Sequence, residues 1–196
     1  MERYYTYGRI NGMPARPAKE QITRLKSIPA SRIAAVLNGE GVLDGAIRPL
    51  SPGMRIIGPA CTVYGRQGDT LMLQRVGDAA EPGDVIIADA GGCDALSVIG
   101  ERLSYYICIV RKCAGIIIDG AYRDTDGILD LDIPFFGRKA DPKLFGAIGP
   151  GAINVPISCG GVIVRPGDLI IGDDSGIVAI PFAKIEETIS RLEEKA

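Results

Sequence analysis

Apolar residues recur at helical spacing in two parts of the chain. Near the start, this spacing predicts helix over residues 21–37, with a break near Pro29 and an end at the Asn38-Gly39 pair. Ser31 is the predicted N-cap of the second piece. Towards the other end, residues 186–194 predict a charged closing helix, whose apolar face is formed by Ile185, Ile189 and Leu192.

Between these helices the pattern changes to short apolar runs, and three of them begin with a Pro-Gly pair. Proline fixes the first turn dihedral and glycine accepts the positive φ of a type II turn, so each pair is expected to lead into a strand. The unequal spacing of the three segments indicates turn chemistry reused in one β-rich body and argues against a solenoid. The segments are residues 52–57, 82–87 and 166–171.

The central region predicts further strands around one long helix. Residues 95–113 are predicted to form the best central helix, and residues 116–118 form a buried-type strand directly after it. Shorter strands are predicted within residues 133–137 and 151–165. Helices mixed with strands predict the α/β class, and no linker-like segment divides the chain, so one domain is predicted over residues 1–196.

Composition and charge narrow the class of protein. A hydrophobic fraction of 46% and a charged fraction of 23% are typical of a globular chain with a full core. Residues 1–20 differ, because they carry Gly, Pro and Arg without periodicity and so predict an irregular N-terminal arm. A formal net charge of −2 gives no field that would attract nucleic acid or an anionic membrane, so neither partner is expected.

The same features predict where the protein works. The N-terminal residues lack the apolar run of a secretory signal, and no apolar run reaches the ~18 residues that a membrane helix needs. The five cysteines are odd in number and include no C-x-x-C pair, which favours reduced thiols. A soluble, cytoplasmic protein is therefore expected.

The chain contains no histidine, and this absence restricts its chemistry. It excludes Ser-His-Asp and Cys-His catalysis, histidine-ligated zinc and the commonest general base. Catalysis would have to use carboxylates, other side chains, backbone amides or an oxygen-ligated metal. With 24 acidic residues in the chain, Mg²⁺ or Mn²⁺ is the natural candidate cofactor.

Three polar segments are expected to meet at one site, because ligands in α/β proteins bind where strands end and helices begin. The first is a predicted glycine loop in which Gly91 and Gly92 are candidate ligand contacts. The second is a turn at the effective start of the central helix, and the third follows the strand at residues 116–118. The segments are Asp89-Ala90-Gly91-Gly92, Gly100-Glu101-Arg102-Leu103 and Gly120-Ala121-Tyr122-Arg123-Asp124.

The residue types in these segments point to capture of a small anion. The backbone amides of Glu101, Arg102 and Leu103 are suited to a carboxylate, and Arg123 offers a two-pronged contact to the same group. Asp124 is the type of oxygen ligand that Mg²⁺ takes, and Glu101 is a candidate to orient or deprotonate a water or hydroxyl. Each signal also has a plainer interpretation: a glycine pair that serves only its turn, a solvated Arg-Asp surface pair, or a carboxylate on a helix surface.

Motifs in a fixed order over roughly residues 45–182 resemble one family, that of the regulator of ribonuclease activity A and the 4-hydroxy-4-methyl-2-oxoglutarate / 4-carboxy-4-hydroxy-2-oxoadipate aldolases. The order is specific for the family but not for one member. The motifs are Gly58-Pro59-Ala60-Cys61-Thr62-Val63, Pro82-Gly83-Asp84-Val85-Ile86, Asp89-Ala90-Gly91-Gly92, Gly120-Ala121-Tyr122-Arg123-Asp124, Ile133-Pro134-Phe135-Phe136, Asn154-Val155-Pro156-Ile157-Ser158-Cys159-Gly160-Gly161, Pro166-Gly167-Asp168 and Gly172-Asp173-Asp174-Ser175-Gly176-Ile177-Val178-Ala179-Ile180-Pro181.

The resemblance implies a swivelling β/β/α domain, here with short N-terminal helices and a C-terminal helix, assembled as a trimer or a dimer of trimers. It also implies metal-dependent retro-aldol cleavage of a 4-hydroxy-2-oxo diacid to pyruvate, with or without oxaloacetate decarboxylation. In such aldolases a Gly-acid-x-Leu turn holds the pyruvyl carboxylate through main-chain amides, which corresponds to residues 100–103. The family's substrate-binding arginine corresponds to Arg123, and its Mg²⁺ ligand corresponds to Asp124.

Two other functions stay open at this point. One is a non-enzymatic regulator that binds a ribonuclease, since the regulator branch of the family can carry the same Arg-Asp loop. The other is a related metal-dependent step on a sugar-derived 2-oxo acid. A Schiff-base mechanism is disfavoured, because none of the seven lysines lies in an apolar segment that would lower its pKa.

Overall fold

The structure is a computed structural model that describes residues 8–194. Its strands, in chain order, are β1 (Arg9–Ile10), β2 (Arg48–Pro49), β3 (Ile56–Tyr64), β4 (Val85–Ser97), β5 (Gly115–Tyr122), β6 (Phe135–Gly137), β7 (Lys139–Ala140), β8 (Ala152–Ile153), β9 (Ile157–Cys159), β10 (Val162–Val164), β11 (Leu169–Asp173) and β12 (Gly176–Ile180). Its α-helices are α1 (Lys19–Leu25), α2 (Ala30–Val36), α3 (Leu71–Arg75), α4 (Glu101–Tyr105), α5 (Thr125–Asp130) and α6 (Ile185–Glu193).

Ten of the strands form one mixed sheet. Its main path runs β1-β8-β3-β4-β5-β6-β2, while β11 joins β12 to β3, and β7 pairs with β5. The central strands β3, β4, β5 and β6 pair with one another in parallel. Strands β9 and β10 form a separate antiparallel pair. The sheet draws on residues from Arg9 to Ile180, and the extent of one domain over residues 1–196 stays a prediction.

Strand β3 changes partner along its length. Its first part, Ile56 to Pro59, pairs antiparallel with β11, and its second part, Ala60 to Tyr64, pairs parallel with β4. This change joins the β11–β12 hairpin to the parallel part of the sheet. A side chain at position 58 would collide with the backbone of Gly83, so the change of partner strand requires glycine at this position.

The central strands are buried on both faces, and successive residues point to opposite sides, as the two-residue period of a strand requires. Ile86, Ala88, Ile116 and Ile118 face one core cluster, which also contains residues of α3 and the helical segment after α4. Val85, Ile87 and Ile117 face a second cluster formed with β9, β10 and the segment around residues 43–47. The core therefore holds the carboxyl ends of β4 and β5 in a fixed position.

The helices near the two chain ends pack together on the β11–β12 hairpin. Their buried residues form a third apolar cluster with Leu169, Ile171, Val178 and Ile180. The predicted apolar face of the closing helix is confirmed, because all three of its residues are buried. The break near Pro29 is also confirmed, since α1 ends at Leu25 and α2 begins at Ala30.

The N-terminal predictions need three corrections. Helix α2 begins before Ser31, and its N-cap position is Pro29, so Asp173 instead accepts a hydrogen bond from the Ala30 amide at 2.8 Å. The predicted irregular arm at residues 1–20 contains strand β1, and its last two residues belong to α1. Residues 1–7 of that arm lie outside the described part of the chain.

The prediction of helix over residues 95–113 is wrong in its first third. Strand β4 continues to Ser97, and helix begins only at Glu101; α4 then runs into a π-helical segment, Tyr106–Val110. Strand β4 persists because it follows the whole of β5, with shifts in register before Cys93 and Ser97. In these residues, strand pairing with β5 outweighs the local preference for helix.

The three Pro-Gly turns are confirmed. Gly53, Gly83 and Gly167 have φ angles of 85°, 90° and 88°, and β3, β4 and β11 begin shortly after them. The short strands predicted within residues 133–137 and 151–165 are present as β6, β8, β9 and β10. Within residues 8–194, the helices are all too short or too polar to span a membrane.

Candidate functional site

The candidate site lies where β5 ends beside the start of α4. The Arg123 amide donates a hydrogen bond to the carbonyl of Ile99 at 2.9 Å, and the Val98 amide donates to Ala121 at 3.1 Å. These bonds place the turn before α4 directly beside the loop after β5. Two of the three segments expected at one site therefore meet, because parallel strands end at the same edge of the sheet.

Gly100 is the point of closest approach between the two segments. A Cβ atom at this position would overlap the Asp124 carboxylate and would lie 3.0 Å from Cγ of Arg123. The φ of Gly100 is −144°, an extended value that any residue adopts, so the requirement for glycine is steric. Gly100 thus lets the Arg123 and Asp124 side chains rest on the backbone that leads into α4.

Arg123 and Asp124 are close to each other and open to solvent. Nε of Arg123 lies 3.7 Å from Oδ2 of Asp124, and each side chain is 41% exposed. Asp124 has a left-handed backbone (φ 58°) at the N-cap position of α5, yet its side chain makes no capping hydrogen bond. Both groups therefore keep bonding capacity for a ligand.

Glu101 is exposed, and its side chain lies beside α5. Its carboxylate lies against Gly127 in α5, where an added Cβ would lie 2.5 Å from Oε2. Glu101 and Asp124 consequently flank the N-terminal end of α5. The Glu101 carboxylate is outside the lining of the cleft described next, so its predicted contact with a substrate would require an intervening water.

A cleft of about 510 Å³ opens beside Gly100 and Arg123, within the size range of small-molecule sites. Ser97 positions one wall, because its buried hydroxyl and its amide both donate to the carbonyl of Lys143 and so bring Leu144 to the cleft. The lining residues are Thr70, Gln74, Val98, Ile99, Gly100, Arg102, Leu103, Tyr106, Arg123 and Leu144.

Sequence reasoning missed Thr70, Gln74, Tyr106 and Leu144. Thr70 and Gln74 come from the segment at the start of α3, and Leu144 comes from a loop, so these three are distant in sequence from the three polar segments, whereas Tyr106 lies only three residues after the second segment. The hydrogen bond from the Gln74 amide to Thr70 Oγ1 (2.8 Å) follows helical i,i+4 spacing. The spacing alone could have suggested this pair, but no sequence signal placed it beside Arg123.

The residues at this site suit a metal ion that keeps most of its waters. Residues 8–194 hold no group of three or more acidic or cysteine side chains arranged to bind a metal. Mg²⁺ often binds through one or two carboxylates, with waters and substrate oxygens as its other ligands. Asp124, exposed and without a capping bond, fits that requirement.

The Gly91-Gly92 pair lies in a bulge of β4, and the prediction of a loop ending the strand is corrected. Both glycines have positive φ, 69° and 64°, and the register with β5 shifts between Asp89 and Cys93. Neither belongs to the lining of the cleft; Gly91 adjoins Gln67, and Gly92 faces the Asp119 and Arg138 side chains. The third expected segment therefore borders a different polar cluster.

Asp119 in that second cluster is buried, and the charged side chains of the cluster pair with one another. Oδ1 of Asp119 accepts a 2.5 Å hydrogen bond from Nε of Arg138, and Oδ2 accepts one of 2.6 Å from the Gly160 amide. A second Arg138 nitrogen reaches Asp44 at 2.8 Å. Burial, and then the Asp119 charge, raises the pKa of the neighbouring Asp89. Because its charged groups are paired within the protein, we interpret this cluster as one that stabilises the fold.

Comparison with known proteins gives the family. The family model "RraA-like: Aldolase/RraA" matches residues 31–179. A protein of Halalkalibacterium halodurans named "putative 4-hydroxy-4-methyl-2-oxoglutarate aldolase" is 38% identical over 174 residues, covering 89% of this chain and 82% of that protein.

Solved structures agree on the fold. A Streptomyces coelicolor protein, described as an unusual member of the RNase ES inhibitor RraA protein family, has a TM-score of 0.78 and 28% identity, covering 92% of this chain and 94% of its own. An uncharacterised Pseudomonas syringae protein has a TM-score of 0.80 at 24% identity, covering 92% and 85%, and shows the fold alone. The predicted α/β fold and the predicted resemblance are confirmed, and the chain belongs to the RraA-like family of aldolases and RraA proteins.

Proposed function

We propose that this protein is a cytoplasmic, divalent-metal-dependent carbon-carbon lyase that cleaves a 4-hydroxy-2-oxo diacid to pyruvate, with oxaloacetate decarboxylation as a related activity. The relatives named as aldolases support a lyase on a small 2-oxo acid. The observation that carries the finer proposal is the joint placement of Gly100, Arg123 and Asp124, where a guanidinium and an exposed carboxylate lie over one turn at the edge of a cleft.

The first step is capture of the 2-oxo acid. The turn at residues 100–103 leads into α4, which continues through the π-helical segment to Val110, so the first amides have no partner within the helix and can bind a carboxylate. The Arg123 guanidinium faces the same turn and can form two parallel bonds to the carboxylate or to the 2-oxo oxygen. The substrate is thereby oriented with its reacting carbons in the cleft.

Bond cleavage then needs a base and a stabiliser of negative charge. A base takes the proton from the 4-hydroxyl, the C3–C4 bond breaks, and the electron pair passes into the enolate of pyruvate. Arg123 stabilises that enolate, because negative charge develops on the oxygen that it already faces. Glu101 remains the candidate base, acting through a water because its carboxylate packs against Gly127. Protonation of the enolate at C3 then gives pyruvate.

Asp124 is the residue that would hold the proposed Mg²⁺ or Mn²⁺. Its carboxylate rests on Gly100 and has only Arg123 nearby, at 3.7 Å, among the ion pairs of residues 8–194. A bound divalent cation would polarise the 2-oxo oxygen as a Lewis acid. Asp124→Asn should therefore weaken the response to added metal while leaving the fold intact, since this side chain is solvent-exposed.

The proposal includes assembly as a homotrimer or a dimer of trimers, as the family resemblance implies. Exposed apolar side chains in two places support association. Tyr105, Ile109 and Val110 are 49%, 44% and 53% exposed at and after α4, and Leu144 and Phe145 are each 50% exposed at the cleft side. Apolar exposure of this kind marks interaction surfaces. Light scattering coupled to size-exclusion chromatography tests this part, and a monomer at working concentration contradicts it.

The direct test is pyruvate release from 4-hydroxy-4-methyl-2-oxoglutarate and from oxaloacetate, with Mg²⁺ and then with EDTA. The proposal predicts release that EDTA abolishes and that Arg123→Ala lowers strongly. Arg48→Ala is the matched control, because Arg48 is an exposed arginine of β2 outside the cleft. Release that persists in EDTA would contradict the metal requirement.

A non-enzymatic regulator of a ribonuclease is the second candidate, favoured by the Streptomyces coelicolor protein and its description as an inhibitor-family member. The same assay separates the two functions. Absence of pyruvate from every 4-hydroxy-2-oxo acid and oxaloacetate, combined with binding to a purified ribonuclease that Arg123→Ala leaves unchanged, would favour the regulator. Metal-dependent pyruvate release would favour the lyase.

A further inference from the structure

The cleft contains a second arginine, Arg102, whose side chain has no role in the chemistry above. Arg102 lines the same cavity as Arg123, and the residue is exposed to solvent. No ion pair or hydrogen bond to the Arg102 side chain is found among residues 8–194, whereas Arg16, Arg24 and Arg138 all pair with carboxylates. The cleft thus presents two cations, and one of them has no partner in the described protein.

The position of Arg102 in its helix makes an unpaired cation unfavourable. Helix α4 begins at Glu101, so Arg102 is the second residue of a helical stretch that continues to Val110. The helix dipole places partial positive charge at that end, and cations there are disfavoured. An anion bound beside Arg102 would relieve this repulsion, so the geometry suits a negatively charged group of a ligand.

Apart from Arg102 and Arg123, the wall of the cleft is uncharged. Thr70 is 7% exposed, and its hydroxyl accepts a hydrogen bond of 2.8 Å from the side-chain amide of Gln74. Tyr106 and Leu144 add an aromatic ring and an aliphatic side chain. This wall can hold a hydroxyl or a methyl group but offers no charge, so discrimination by charge in the cleft falls to Arg102 once Arg123 is occupied.

We propose that Arg102 is a specificity-determining residue that binds the second carboxylate of a 2-oxo diacid. The inference rests on the proposed function, in which Arg123 and the turn at residues 100–103 hold the first carboxylate and the 2-oxo group. In retro-aldol cleavage the second carboxylate stays on the carbonyl fragment that leaves, so Arg102 would hold that fragment while the C3–C4 bond breaks. The substrate class is therefore a dicarboxylate, and a monocarboxylate of equal length is selected against.

The test compares two unreactive ligands of equal chain length, 2-oxoglutarate and 2-oxopentanoate, which differ in a terminal carboxylate against a methyl group. Dissociation constants are measured by calorimetry with Mg²⁺ present, for the wild type, Arg102→Gln, Arg102→Lys and the control Arg48→Gln. We expect the wild type and Arg48→Gln to bind 2-oxoglutarate about tenfold more tightly, as loss of one charged contact of this size implies. Arg102→Gln should remove the preference by weakening the binding of 2-oxoglutarate, and Arg102→Lys should keep part of the preference.

The outcomes separate this inference from the function on which it rests. If the wild type binds both acids equally, or if Arg102→Gln keeps the preference or weakens both ligands alike, Arg102 does not set specificity. In that case Arg123→Ala should still abolish binding of both acids, and the proposed function survives. If the wild type binds neither acid nor pyruvate, the proposed function fails together with the inference. Thermal melts of each variant confirm that the fold is retained.

Discussion

The protein contains two Arg-Asp pairs near the carboxyl end of β5, and the two pairs differ in their burial and in the distance between their charges. Around Asp119 and Arg138 the charges are 2.5 Å apart, and the two side chains are 7% and 18% exposed. Around Arg123 and Asp124 the charges are 3.7 Å apart, and each side chain is 41% exposed. The hydrogen-bonding groups of the first pair are used within the fold, whereas those of the second pair are available to a ligand.

The difference shows which features of a polar cluster indicate function. A buried ion pair is strongly destabilising when one partner is removed, because the other charge is left without solvent or a counter-ion. An exposed, poorly aligned pair contributes little to stability, so its geometry is free to serve binding. Residue type alone does not distinguish the two pairs, but their burial and hydrogen bonding do.

The largest expected effect is on the buried pair. Asp119→Ala should lower the free energy of unfolding by about 3–5 kcal/mol, because Arg138 and the Gly160 amide would both lose their buried partner. Denaturant unfolding followed by circular dichroism measures it. Asp44→Ala removes the exposed partner of the same arginine and should have a much smaller effect. Equal losses in the two variants would contradict the contrast.

The next effect is on catalysis. Arg123→Ala should lower kcat for pyruvate release by ~10²–10³, because one charged donor to the developing enolate is lost. Unfolding stability should change little, since the side chain is exposed and its ion pair is long. Steady-state kinetics and a thermal melt on the same preparation give both values. A variant that is destabilised but fully active when folded would reverse the roles assigned to the two pairs.

A smaller effect is expected from crowding the candidate site. Gly100→Ala introduces a methyl group that overlaps the Asp124 carboxylate, so Asp124 and Arg123 must shift. We expect a small stability cost, because the Asp124 carboxylate is the exposed end of a side chain that can move, together with a clear loss of activity. Gly12→Ala is the control, because a Cβ there has nothing within 4 Å. Full activity in Gly100→Ala would show that the close contact has no functional role.

The smallest effect concerns Asp89, beside the buried pair. Burial raises its pKa in the folded protein, so its ionised form is destabilising at neutral pH, and this penalty disappears as pH falls below the pKa of the unfolded chain. Asp89→Asn should therefore be more stable than the wild type near pH 7, by less than about 1 kcal/mol because the group is partly solvated. The gap should close in acid. Denaturant titrations at several pH values measure it, and a gap that widens on acidification would contradict the stated sign.

The sequence predicted those parts of the fold that local chemistry controls. Gly53, Gly83 and Gly167 take the positive φ that their turns require, and Pro29 separates the two N-terminal helices. It did not predict that β4 runs on to Ser97, because that extension depends on pairing with β5 and includes a bulge at the glycine pair. Partner strands distant in sequence decide such boundaries.

The candidate site, like the fold, was predictable from the sequence only in part. Gly100, Arg123 and Asp124 were identified because they follow strands and match family motifs, and the structure places them together. Thr70, Gln74 and Leu144 were missed because only tertiary packing brings them to the cleft. The glycine pair is predicted at the site because it follows a strand and belongs to a family motif, whereas its neighbours in space are Gln67, Asp119 and Arg138.

The central claim is that Arg123, Asp124 and the turn at residues 100–103 hold one anionic ligand. A crystal structure of the protein with pyruvate and Mg²⁺ tests it most directly. We predict the pyruvate carboxylate on the main-chain amides of that turn, the Arg123 guanidinium on the same molecule, and the metal ion on the Asp124 carboxylate. Pyruvate bound instead at Gly92 and Arg138, or a metal ion bound away from Asp124, would contradict the account.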